Sequence, residues 1–127
     1  MYKRQLLRPL VDAGVDVIHA SNRRFWEPEF EGSNLNLAGW TKKITGLPTI
    51  TVGSVGLESD FIGFYQGEDE VKSAPIDDLV KRMDDKEFDM VAVGRALLSD
   101  PEWVNKVKEG RYDEVIPFSK KHAENYY

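Results

Sequence analysis

Two patterns of hydrophobic positions alternate along the 127-residue chain. Three short runs are nearly continuous in β-branched or other apolar residues: Val15–His19, Thr49–Val52 and Phe88–Val93. They begin about 34 and then about 39 residues apart. Continuous rather than alternating apolarity predicts strands covered on both faces, the habit of parallel sheets. Helical spacing fills the stretches around them. Tyr2–Ala13 sets Leu6, Leu7, Leu10 and Val11 on one face, and Gly14 predicts its end. Leu37–Thr45 predicts a second helix, stopped by Gly46 ahead of Pro48. Ile76–Met83 predicts a third, with Leu79, Val80 and Met83 inward and the pairs Asp77/Lys81 and Asp78/Arg82 outward. Ser99-Asp100-Pro101-Glu102 reads as a capping box with proline in the first turn of a fourth helix, which runs to about Glu109 and stops at Gly110. The tail, Arg111–Tyr127, is polar and aromatic, with a short helix expected near its end. Strands alternating with helices at this spacing predict an α/β fold with about three parallel strands.

Two long connections follow strands. Ser21–Asn36 carries Arg23, Arg24, Phe25, Trp26 and a Glu-Pro-Glu run; Gly53–Ala74 carries Phe61, Phe64, Tyr65 and many acids. In parallel α/β folds ligands gather at loops after the strand C-termini. The strand count does not close. A (β/α)8 barrel takes about 250 residues and eight strands, and three parallel strands alone leave two unpaired edges. The chain reads as a piece of something larger, or as a partner for another copy.

Composition narrows the function classes. Acidic residues outnumber basic ones, 22 to 17, for a net charge of −5. A chain of that sign has no global attraction for nucleic acid or an anionic membrane, so any phosphate must be held by a local site. The absence of cysteine excludes disulfides, thiolate metal sites and a cysteine nucleophile, and fits a reducing, cytoplasmic setting. His19 and His122 are too few and too far apart for a multi-histidine metal site. Lys3, Arg4, Arg8 and Asp12 argue against a signal peptide at residues 1–15. No apolar run approaches the roughly 20 residues that span a bilayer.

Gly53-Ser54-Val55-Gly56 directly follows the second run. Glycine there allows a sharp turn and lets a ligand approach backbone N–H groups; the plainer reading is a strand-to-helix turn. Gly94-Arg95 follows the third run. An arginine at that point can hold two phosphate oxygens with its fork, or can sit in a surface salt bridge. His19, within a strand, is expected as a hydrogen-bonded core residue rather than a catalytic base. Asp16 and Asp89 are expected simply to end turns.

The run VAVGRALLSDP (91–101), with Phe88-Asp89-Met90 before it, resembles the last barrel strand and helix of the old yellow enzyme family, FMN-dependent NAD(P)H oxidoreductases on a (β/α)8 barrel. PTITVGSVG (48–56) resembles the seventh strand and its phosphate loop, and AGVDVIHAS (13–21) the sixth strand. The resemblance covers nearly the whole chain and implies the C-terminal portion of a TIM barrel, residues 1–127 forming one partial barrel domain. It implies that Gly53 and Ser54 offer N–H groups to the FMN phosphate, that Gly94 does the same from the next loop, and that Arg95 pairs with the phosphate charge. Phe25 or Trp26 would lie on the substrate side of the flavin; the plainer alternative is a hydrophobic plug that holds their loop. His19 does not match the family's substrate-binding histidine. That residue, the proton-donating tyrosine and the supports of the flavin ring come from the family's earlier strands, so the resemblance covers roughly the last third of a family member. Three functional expectations stay open. The leading one is a C-terminal fragment contributing the FMN phosphate site to an ene-reductase-like enzyme that takes hydride from NAD(P)H to a small-molecule acceptor. The second is a non-catalytic phosphate-binding or assembly module, self-associating or docking to a separate barrel remainder. The third is another barrel fragment that binds a phosphorylated metabolite.

Overall fold

The computed structural model describes residues 2–58 and 70–124. In chain order the elements are α1 (Tyr2–Asp12), β1 (Ile18–Ser21), α2 (Leu37–Thr45), β2 (Thr49–Val52), β3 (Glu70–Val71), α3 (Asp77–Asp84), β4 (Met90–Val91), α4 (Arg95–Ser99), α5 (Trp103–Lys108), β5 (Phe118–Ser119) and α6 (Lys120–Glu124), with a 3-10 turn at Tyr112–Glu114. They fall into two compact units: residues 1–53 with 77–92, and residues 54–76 with 93–127.

The first unit holds a parallel sheet in the order β1-β2-β4. Ile18 pairs with Thr49 through to Ser21 with Val52, and Ile50 and Thr51 pair with Met90 and Val91. The expected strands are therefore present, with shifted ends. β1 starts three residues later than its apolar run because Gly14, at φ +91°, ends α1 and the Val15 N–H is still donated to Leu10. The third run contributes only two ladder residues, although the Asp89 and Ala92 N–H groups extend it by donating to Thr49 and Thr51.

Coverage of this sheet differs from expectation. Register puts Ala20, Thr49 and Thr51 on one face, and all three are buried. Thr51 accepts from the Asn36 amide and Thr49 donates to the Leu47 carbonyl, so each hydroxyl is satisfied at no cost to burial. The opposite face carries His19, Ile50 and Met90 in one row; Ile50 is half-buried and the other two are exposed. Among the described residues, those on one face of this sheet are buried and most of those on the other are exposed. This also corrects the expectation for His19, which is exposed rather than a core histidine.

Asn36 organises this unit. Its Oδ1 accepts from the Gly39 N–H and caps α2, while its Nδ2 donates to the Phe25 carbonyl and to Thr51 Oγ1. The helix ends as expected at Gly46, whose φ of +70° lets its N–H turn back to Lys42. Asp89 does more than end a turn: it accepts from Lys42 Nζ at 2.7 Å and from the Thr49 N–H at 3.0 Å, tying α2 to the start of β2. The Lys42 contact leads the causes that hold its carboxyl below the usual range. In α1 only Leu7 of the expected apolar face is buried; Leu6 and Leu10 are exposed and line a groove with Ile18 and Leu37. In α3 Leu79 is buried but Val80 is exposed. The Asp78–Arg82 pair forms at 3.0 Å, whereas Lys81 turns to Asp85 instead of Asp77.

The second unit is built around a short antiparallel pairing of β3 with β5, Val71 opposite Phe118, beside a bridge between Leu57 and Ser73. Its core is Val55, Leu57, Val71, Ala96, Trp103, Val115 and Phe118. The expected capping box at Ser99 does not form. Asp100 stands before Pro101 and takes an extended conformation, φ −139° and ψ 95°, so the chain breaks into α4 and α5. The Ser99 hydroxyl reaches the Ile116 carbonyl, and Asp100 rather than Ser99 receives the Glu102 N–H. The expected C-terminal helix is α6. Phe61, Phe64 and Tyr65 lie outside the described residues. No helix among the described residues is long and apolar enough to cross a membrane.

Candidate functional site

The turn after β2 is conformationally unusual. Gly53, Ser54 and Gly56 all have positive φ, +146°, +53° and +72°. Two of these positions require glycine. A Cβ on Gly53 would stand 2.6 Å from the Asn22 carbonyl oxygen, and one on Gly56 would stand 2.7 Å from the Trp103 ring. Close packing thus accounts for both glycines without a ligand. Ser54 is different: it holds a left-handed conformation that few residues other than glycine adopt. The Ser54 carbonyl accepts from Leu57 and the Gly56 carbonyl from Ala74, which closes the turn onto residues 72–74. Among the described residues, the N–H groups of Val55 and Gly56 donate to no protein acceptor.

Arg95 opens α4, one residue after Gly94. Its Nη2 lies 3.4 Å from Ser54 Oγ, and its guanidinium carbon lies 5.6 Å from the centre of the Phe118 ring. The second unit therefore brings together Ser54 and Arg95, residues 41 apart in sequence. Gly94 is exposed, and a Cβ there would meet nothing within 4 Å, so a ligand can approach its backbone. A guanidinium 3.4 Å from a hydroxyl is an arrangement that suits an oxyanion.

Phe25 and Trp26 lie in the first unit. Phe25 is buried and meets Trp26 edge to face at 5.1 Å. Its N–H donates to the Gly53 carbonyl and its carbonyl accepts from Asn36, while the Trp26 carbonyl faces Arg82 Nη2 at 3.4 Å. These contacts hold the loop, as a plug would; Trp26 is half-buried.

Sequence reasoning missed three residues near this site. Ser99 and Asp100 are almost fully buried, and both engage the backbone of Ile116: Ser99 donates to its carbonyl and Asp100 accepts from its N–H, each at 3.0 Å. Asp100 also pairs with Lys106 at 2.7 Å. Burial pushes its carboxyl up, but Lys106 and the Ile116 and Glu102 N–H groups outweigh burial and hold it below the usual range. Phe118 is the third, and no periodicity in the tail marks it.

The chain is homologous to an NADH oxidase. An alignment of 120 residues at 35% identity, covering 88% of this chain, relates it to that protein of Thermoanaerobacter brockii. The chain spans 16% of the length of this relative. No family model matches the chain.

Proposed function

We propose that this chain is the flavin-phosphate-binding part of an FMN-dependent NAD(P)H oxidoreductase of the old yellow enzyme type, the C-terminal portion of its (β/α)8 barrel. One observation carries the reading: the Arg95 guanidinium stands 3.4 Å from the Ser54 hydroxyl, joining the two loops that the resemblance assigns to phosphate. The FMN phosphate would be received by Ser54 and its neighbouring N–H groups after the Gly53 turn, by the open backbone at Gly94, and by Arg95. Among the described residues of these two loops, only Arg95 carries a full positive charge, on a chain whose net charge is −5. Bound FMN supplies hydride transfer from NAD(P)H to an acceptor, and the protein's part is to bind and orient. The relative's printed activity, NADH oxidase, supports the reductant half of this reading. The exposed sheet face and, among the described residues, the edge position of β1 support docking to further strands of the barrel. Trp26, the less buried of its pair, is the better candidate for the substrate side.

The test is a flavin-fluorescence titration. A charge-assisted hydrogen bond is worth about 1.5–3 kcal/mol, so Arg95→Ala should weaken FMN by roughly 10- to 100-fold. Riboflavin lacks the phosphate and should be unaffected. Arg95→Lys keeps the charge but not the fork and should recover part of the affinity. Equal losses for both flavins, or none for either, refute the assignment.

A further inference from the structure

We infer that Phe118 is a positioning residue for Arg95: its ring face aims the guanidinium at the anion. The inference rests on the reading of Arg95 as the phosphate ligand, and extends it to a residue on a different element. The guanidinium carbon lies over the Phe118 ring at 5.6 Å, inside the range in which an aromatic face attracts a cation. The same guanidinium meets Ser54 Oγ through Nη2 at 3.4 Å. A long side chain with several rotatable bonds is thereby bounded by a ring and a hydroxyl, which limits the entropy lost when an anion arrives.

The placement of Phe118 is itself strongly determined. Phe118 is 2% exposed and pairs through β5 with Val71 of β3, itself 1% exposed. Two residues before it, both backbone polar groups of Ile116 are taken by side chains at the end of α4: the carbonyl by Ser99 and the N–H by Asp100. Arg95 is the first residue of that same helix. Two buried polar side chains thus lock the strand that carries the ring to the helix that carries the cation. Simple hydrophobic packing of Phe118 would not need this double clamp.

The experiment separates ring from bulk. Phe118→Leu keeps an apolar side chain and removes the aromatic face. Replacing Phe118 by pentafluorophenylalanine keeps the shape and reverses the sign of the ring's quadrupole, and decides the matter alone if the leucine variant does not fold. Both, beside Arg95→Ala, are titrated with FMN and with riboflavin, and the Arg95 Nε–H resonance is followed during titration with inorganic phosphate. A cation–π contact of this kind predicts that both Phe118 replacements weaken FMN by about 2- to 5-fold and leave riboflavin unchanged. The phosphate-induced shift of the Arg95 resonance should need correspondingly more phosphate. If Arg95→Ala loses FMN selectively while the Phe118 replacements bind like the original chain, the inference fails and the phosphate site stands. If the Phe118 replacements lose both flavins equally, the ring is packing only and the inference fails. If the chain binds no FMN, or Arg95→Ala does not distinguish the two flavins, both readings fail together.

Discussion

Replacing Asp100 by asparagine should destabilise the second unit by about 2–4 kcal/mol at neutral pH. The carboxylate receives three donors: Glu102 N–H at 3.1 Å on one oxygen, and Ile116 N–H at 3.0 Å and Lys106 Nζ at 2.7 Å on the other. An amide has one acceptor oxygen. Turned toward Ile116 and Lys106, it presents its NH2 to the Glu102 N–H, donor against donor, at a site only 1% exposed. A buried donor left without a partner costs about 1–3 kcal/mol, and exchanging charged for neutral hydrogen bonds about 1 more. Acidification gives a second signature. The folded carboxyl is held below its ordinary value, so the stabilisation is fully present above about pH 4 and is lost as pH falls through the lower folded value. Urea unfolding followed by tryptophan fluorescence, stepped from pH 7 to pH 3, measures both. The gap between the two proteins should be widest at pH 7 and narrow as pH falls below about 4. A gap under about 0.5 kcal/mol at pH 7, the size of an ordinary surface change, or one that does not vary with pH, would refute the reasoning.

Gly53→Ala and Gly56→Ala should each cost more than about 2 kcal/mol, because both combine a positive φ with a Cβ under 3 Å from a neighbour, the Asn22 backbone for one and the buried Trp103 ring for the other. Gly94→Ala, where a Cβ would meet nothing within 4 Å, should cost less than either; equal effects at all three positions in a denaturant series would contradict this. Asn36→Asp keeps an equally good helix cap, yet should destabilise the first unit by about 2–3 kcal/mol, since it removes the two donors that serve Phe25 and Thr51 and buries a charge against a carbonyl. Asn36→Asp unfolding at the same urea concentration as the original chain would show that the cap is all that matters there.

The features legible in sequence were those set by local geometry. Leu37–Thr45 was predicted to the residue, because glycine at its end and helical spacing within it act over one or two turns. The three parallel strands followed from β-branched runs at βα spacing, and the pairing of β1, β2 and β4 agrees. Gly53-Ser54 and Gly94-Arg95 stood out because each directly follows an apolar run, and the fold brings Ser54 and Arg95 to 3.4 Å. Tertiary structure decided the rest. Ser99 ends α4 rather than opening the next helix, and its hydroxyl donates to the Ile116 carbonyl, 17 residues away, a contact that local pattern cannot contain. Leu6, Leu10 and Val80 have the spacing of core residues but remain exposed, since periodicity says which positions share a face and not whether anything covers it. Asn36 looks like any loop asparagine until the fold brings Phe25 and Thr51 to its amide. Phe118 had no pattern at all: its strand pairs with residues 70–71, and its ring lies under Arg95 two residues after Ile116, whose backbone Ser99 and Asp100 hold. Short-range sterics and capping are written in neighbouring residues, whereas burial and long-range hydrogen bonds are properties of pairs that the folded chain alone brings together.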